Sequence, residues 1–152
     1  MFLKILLIIA VVLLILAIVV ALQPANFRIV RSATIDAPAS VVFANVNDFS
    51  QWHAWSPWEK MDPDMKRTFG SPTAGPGAVY SWDGNNKVGA GRMTIIESRP
   101  AELVRVKLEF FRPMLAVSEA EFTFKPEGDR TGVTWSMSGT NNFPAKAFGL
   151  IM

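Results

Sequence analysis

The chain has 152 residues, with 15 Lys and Arg against 13 Asp and Glu, one His, five Trp and no Cys. Without cysteine it has no disulfide, no thiolate nucleophile and no Cys-ligated metal, although this does not fix a compartment. A formal charge of +2 with no basic block argues against nucleic acid as a partner, because phosphate binding needs a clustered positive surface.

Ile5 to Leu22 is an unbroken run of eighteen Ile, Leu, Val and Ala residues. At ~1.5 Å per residue it spans roughly 27 Å as a helix, close to the ~30 Å hydrocarbon core of a bilayer. Residues 1–22 are therefore expected to form a single transmembrane anchor, which makes the lipid bilayer a partner and the membrane the location. The rival reading is a cleaved secretory signal, since Val19-Val20-Ala21 offers residues permissible at a cut. The run exceeds the ~7 to 15 apolar residues of such a signal, and only Lys4 precedes it. Lys4 on one side nearly balances Arg28 and Arg31 on the other. The orientation expected is a short cytoplasmic tail with the domain on the extracytoplasmic side.

Gln23-Pro24-Ala25-Asn26 reads as a linker, leaving residues 27–152 as one domain large enough for a core. Phe27 to Ile35 alternates, with Phe27, Ile29, Ala33 and Ile35 on one face, which predicts a first strand. Asp36 ahead of Ala37-Pro38 signals a helix start, and the helix should run from about Pro38 to Val46. Phe49 to Lys60, FSQWHAWSPWEK, holds three of the five tryptophans and the only histidine. It predicts a second short helix through Trp52 and Trp55 that stops at Ser56-Pro57. The three indoles are either the corner of a core or the end wall of an apolar chamber.

From Met65 the pattern is strand and turn. Strands are expected near residues 66–69, 78–82, 91–98, 103–110, 118–125 and 133–140, separated by short breaks rich in Gly, Pro, Asn and Asp. Connections this short imply antiparallel neighbours. Val104, Val106, Leu108 and Phe110 alternate with Arg105, Lys107 and Glu109. Ala120, Phe122 and Phe124 alternate with Glu119, Glu121 and Thr123, and Val133, Trp135 and Met137 with Thr134, Ser136 and Ser138. One face of the sheet is thus apolar and the other wetted. Gly89 and Gly91 lack the third glycine and the helix of a dinucleotide site and read as a bend or bulge. A final helix is expected from near Phe143, capped by Asn142. Its pattern is still running at Leu150-Ile151-Met152, so a natural form longer by about 20 residues, carrying the rest of that helix, is expected.

This order resembles the polyketide cyclase/dehydrase and lipid-transport branch of the START-like (SRPBCC) superfamily. The residues that carry the resemblance are Ile35-Asp36-Ala37-Pro38, the FSQWHAWSPWEK stretch, the turn from Asn85 to Gly91 and Val133-Thr134-Trp135. It implies an α+β helix-grip fold of the START and Bet v 1 kind. In that fold a curved seven-stranded antiparallel sheet with two short helices wraps a carboxy-terminal helix, here truncated, around an apolar cavity. Ligand carriers, cyclases, hydrolases and chaperone activators share this fold, so it does not itself decide the activity.

No residue pattern announces catalysis. His53 lacks an evident partner, no G-x-S-x-G is present, and Glu59 with Asp62 and Asp64 reads as a solvated turn rather than a metal site. Glu97 and Asp83 are the carboxylates placed to approach the inner face, and Arg92 and Arg105 the cations for a ligand's acidic head. The ligand-binding set expected is Trp55, Tyr80, Trp82, Val106, Phe110, Phe122 and Trp135, converging on one apolar space. The expected function is membrane-tethered binding of a small hydrophobic or amphipathic molecule, lipid-like or aromatic, without cofactor or metal. A cyclase- or hydrolase-type enzyme using a cavity carboxylate, and an interaction module like the chaperone activators, are the alternatives. Deleting residues 1–22 should release a soluble domain that folds, because its core lies beyond Phe27; persistent membrane binding after high-salt washing would show the contact to be elsewhere.

Overall fold

The computed structural model describes residues 2–141 and 146. Contacts divide the chain into two units, one containing α1 and the other Arg28–Gly139. Helix α1 spans Phe2–Leu22, 21 residues, and is long and apolar enough to cross a membrane. Its helical form needs no amphipathic face, since Ile, Leu, Val and Ala surround it on every side.

The second unit is built on a seven-stranded antiparallel sheet in the order β1-β7-β6-β5-β4-β3-β2. The strands are β1 (Asn26–Ile35), β2 (Lys66–Phe69), β3 (Val79–Asp83), β4 (Ala90–Arg99), β5 (Leu103–Arg112), β6 (Ala116–Glu127) and β7 (Arg130–Thr140). Strands β2 to β7 form a meander, and the first strand closes against the last. The sheet bends where β4 slips register against β5, at Ala90/Gly91 and at Ile95/Glu97. The carboxy-terminal helix expected from Phe143 lies outside the described residues.

Helix α2 (Ala39–Asn47) starts one residue later than its sequence signals suggest. Asp36 does not cap it. Pro38 holds the N-cap position in extended conformation with no side-chain hydrogen bond, while Asp36 is exposed, 3.9 Å from Arg130. A single 3-10 turn (Phe49–Gln51) follows, opened by Asp48, whose carboxylate accepts from the Ser50 amide at 2.9 Å and hydroxyl at 2.7 Å. Burial opposes the Asp48 charge, but the Ser50 hydrogen bonds outweigh it and hold the carboxyl below its ordinary range. Helix α3 (Trp52–Trp55) ends at Ser56, as proline at 57 requires, and Pro57 then opens helix α4 (Pro57–Met61) from its first position. The sequence pattern had suggested only a turn there.

The core lies on the inner face, where Phe49, Ile95, Val104 and Val106 are fully buried. The outer face is charged. Arg105 meets Glu97 at 2.5 Å, Glu121 at 2.8 Å and Glu119 at 3.2 Å, and Arg92 meets Glu109 at 2.9 Å. These pairs are partly exposed, so each contributes at most ~1 kcal/mol; they mainly keep this face in water. Gly91 sits in the β4 bend with no room for a side chain, since a Cβ there would come 2.5 Å from the Glu109 carbonyl oxygen and from Trp82 Cη2. Gly91→Ala should therefore displace the Trp82 indole and lower stability by about 1–3 kcal/mol, read from the urea midpoint. An unchanged midpoint would mean that the bend is looser than this packing implies.

Candidate functional site

An open cleft of about 430 Å³ lies between α2 and the β1–β7–β6 part of the inner face. Its floor is Phe122 and Trp135, paired across β6 and β7. Val41, Val42, Asn45 and Val46 form one wall, and Ala33 and Ile35 of β1 the other. Trp55 closes one end, its ring 6.3 Å from that of Phe122 and nearly perpendicular to it. The cleft exists because β1 is an edge strand whose inward residues Ala33 and Ile35 stay exposed.

Two indoles fix the wall. Trp52 Nε1 donates to the Val46 carbonyl at 2.9 Å and Trp55 Nε1 to the Asn45 carbonyl at 3.2 Å. These are carbonyls in the last turn of α2, which has no following turn to satisfy them. The tryptophan stretch is thus both core corner and end wall: Trp52 is buried, Trp55 borders the cleft, and Trp58 is exposed.

Of the seven residues expected to converge, Trp55, Phe122 and Trp135 line the cleft. Tyr80, Trp82 and Phe110 lie in the filled half of the inner face, with Tyr80 and Trp82 rings 6.3 Å apart and Trp82 and Phe110 rings 5.8 Å apart. Trp82 also donates to the Val88 carbonyl at 3.0 Å. Val106 is fully buried between the halves. Five of the seven, Phe122, Trp55, Tyr80, Trp82 and Phe110, are linked through Trp52 and Phe49 by successive ring contacts, but only three of the seven line the cleft.

The charged residues are arranged differently from the sequence expectation. Glu97 and Asp83 do not approach the cleft. Glu97 pairs with Arg105 on the outer face because the β4 bulge turns it away from Ile95, and Asp83 is exposed and paired with Arg112. Arg92 and Arg105 lie on that outer face as well. Nor is Glu59 part of a solvated turn: α4 buries it, where it accepts from Tyr80 Oη at 2.7 Å and from Arg67 Nε at 2.5 Å. Asp62 accepts from the Asn85 amide at 2.6 Å and pins the β3–β4 turn. His53 is exposed, with Nδ1 donating to the Ser50 carbonyl at 2.8 Å.

Sequence reasoning overlooked Arg31. It lines the cleft, and among the described residues it meets no carboxylate; its guanidinium donates only to the Val30 carbonyl, at 2.9 Å. The signal was present, since Arg31 occupies the same phase of β1 as Ile29, Ala33 and Ile35. Among the described residues the cleft is thus apolar with one cation at its edge that meets no carboxylate, and no carboxylate, histidine or tyrosine lines it.

Comparison with known proteins gives a consistent fold. The sequence profile of the family described as polyketide cyclase / dehydrase and lipid transport matches residues 26–152. The di-domain ARO/CYC BexL of the BE-7585A biosynthetic pathway superposes with a TM-score of 0.63 at 17% identity, over 87% of this chain and 46% of that one. CalU16 from Micromonospora echinospora gives 0.56 at 18% identity over 81% and 68%, and Ara h 8.0201 gives 0.57 at 10% identity over 83% and 98%. No curated protein matches the sequence.

Burial first, then the hydrogen bond to the Glu59 carboxylate, pushes the Tyr80 phenol above its ordinary range. A folded-state value raised above the unfolded one gives stability that is complete below about pH 10 and is lost as pH climbs through the folded value. Tyr80 is the only tyrosine, so tyrosinate absorbance reports it alone. On alkaline titration that absorbance should appear only as the fold is lost; ionisation at the ordinary phenol pH with the fold intact would remove Tyr80 from the buried cluster.

Proposed function

We propose, since the chain belongs to the polyketide cyclase / dehydrase and lipid transport family, that its domain binds a small hydrophobic or amphipathic molecule in the α2–β1 cleft while α1 tethers it to a membrane. The observation that carries this reading is the lining. Aliphatic and aromatic side chains surround about 430 Å³, and the polar residues are Arg31, Ser32 and Asn45. Small-ligand sites are commonly 300–1,000 Å³ and apolar with a few placed polar groups. Trp55, Phe122 and Trp135 would hold the apolar body of the ligand, and Arg31 an acidic or polar head.

Acid–base turnover needs a proton donor or acceptor within hydrogen-bond reach of the reacting atoms. The buried carboxylate Glu59 is committed to Arg67 and Tyr80, and neither it nor Tyr80 lines the cleft. The site's chemistry therefore favours carriage over catalysis. The tether supports a ligand drawn from or delivered to the lipid phase, since an apolar molecule is most concentrated there.

Native mass spectrometry of the detergent-extracted full chain tests the reading. A co-purifying small molecule should be retained by the natural protein and reduced about tenfold by Ala33→Trp, which fills the cleft from the exposed edge strand; tenfold corresponds to ~1.4 kcal/mol. No adduct on either protein, or an adduct indifferent to Ala33→Trp, would overturn it.

A further inference from the structure

The β5–β6 turn is the most apolar tip of the sheet. Leu115 is 76% exposed, Val117 57%, Phe111 47% and Met114 40%. The other strand connections differ. Arg99 and Glu102 occupy the β4–β5 turn, Glu127 and Arg130 flank the β6–β7 turn, and Asn85 to Lys87 form the β3–β4 turn. Exposed apolar clusters of this size mark contact surfaces.

Strand register says which way the tip points. The Ser32 and Thr134 hydroxyls lie 3.0 Å apart across β1 and β7. Counting back along this antiparallel pair brings Arg28 level with Ser138, which is paired with Glu119 of β6. Strand β6 continues past Glu119 to Ala116 and the turn. The tip therefore projects beyond the end of the sheet at which β1 begins, two strand spacings from β1, or about 10 Å. Only five residues lie between Leu22 and Arg28, and the six Cα steps reach about 20 Å at full extension. A bilayer that holds α1 lies within that reach of the sheet end carrying the tip.

We infer that Phe111, Met114, Leu115 and Val117 dock into the interfacial layer of the same bilayer that α1 spans. This rests on the reading of α1 as an anchor. Arg28 and Lys87 belong to the same end of the sheet, as does Arg112, which is paired with Asp83, and apolar side chains with cations around them suit the boundary between acyl chains and headgroups. The turns at the opposite end instead carry charges of both signs, Arg99 with Glu102 in one and Glu127, Asp129 and Arg130 around the other. Tethering makes the second contact intramolecular, so a tip too small to recruit a free protein suffices to orient a tethered one. In that orientation the Arg31 end of the cleft is the end nearer the membrane, because Arg31 precedes Ala33 and Ile35 along β1.

The absence of natural cysteine allows a direct test. The full chain carrying Leu115→Cys or Glu102→Cys, each labelled with an environment-sensitive dye, is reconstituted into phosphatidylcholine vesicles containing phosphatidylglycerol, with and without a quencher attached to the acyl chains. Both positions are exposed, so neither label disturbs the core. At Leu115 the dye should shift to the blue and be quenched several-fold more than at Glu102. Equal quenching at the two positions overturns the proposal, as does a blue shift at Leu115 without lipid quenching, which would mean protein covers the tip. Flotation of the same vesicles after alkaline washing separates the two readings. Protein that washes off defeats the anchor and this proposal with it; protein that stays, with no difference between the labels, defeats only the proposal.

Discussion

Two indole N–H groups hold the carboxy-terminal turn of α2, and the cleft depends on them. The helix is nine residues long with no side-chain cap at its start, and by itself would be marginal in water. Trp52 and Trp55 occupy its terminal carbonyls and rest their rings on Phe122. A net hydrogen bond is worth only ~0.5–1.5 kcal/mol, but an unsatisfied buried carbonyl costs ~1–3 kcal/mol, so the buried Trp52–Val46 bond matters more for what it prevents than for what it adds, while the Trp55–Asn45 bond is exposed. Beside these contacts α2 packs directly on the sheet, the Phe43 ring meeting that of Phe124 edge-on at 5.8 Å. Pro57 completes the device by ending α3 at Ser56, which leaves Trp55 as the last ring inside and Trp58 outside.

The inner face is divided into a filled half and an open half. From β2 to β5, Phe69, Tyr80, Trp82 and Phe110 pack edge and face against one another, and the Glu59–Arg67–Tyr80 cluster locks α4 over them. Removing one partner from such a buried cluster would strand the others, so it resists rearrangement. From β6 to β1 the face carries Ala33, Ile35, Phe122, Val133 and Trp135, with α2 and Trp55 opposite them across the cleft. Among the described residues the open cleft lies in the half that the Glu59–Arg67–Tyr80 cluster does not lock.

Most of the fold was legible from alternation. The strand from Lys66 to Phe69 matches residue for residue, and the others begin or end within three residues of expectation, because one wet and one dry face leave no freedom of register. Helix α4 was not, since Pro57 was read as a terminator when it also suits a helix's first position. The site was less legible than the fold. Val106 and Trp135 have the same inward phase, and what separates them is whether another element lies above, which no strand pattern encodes. Glu97 was misplaced by a one-residue bulge, and Glu59 gained its role from Tyr80, 21 positions away.

Arg31 carries the tension between fold and function in β1. An edge strand needs charge to discourage pairing with other chains, and Arg28, exposed and in the outward phase, already answers that need. Arg31 stands in the inward phase, among Ile29, Ala33 and Ile35, where an apolar residue would bury more surface. Protection of the edge does not require a cation on that side. The amphipathic ligand proposed above would, because an apolar trough alone cannot fix which end of such a molecule enters first. The strand that follows α1 is therefore also the strand that gives the cleft its polarity.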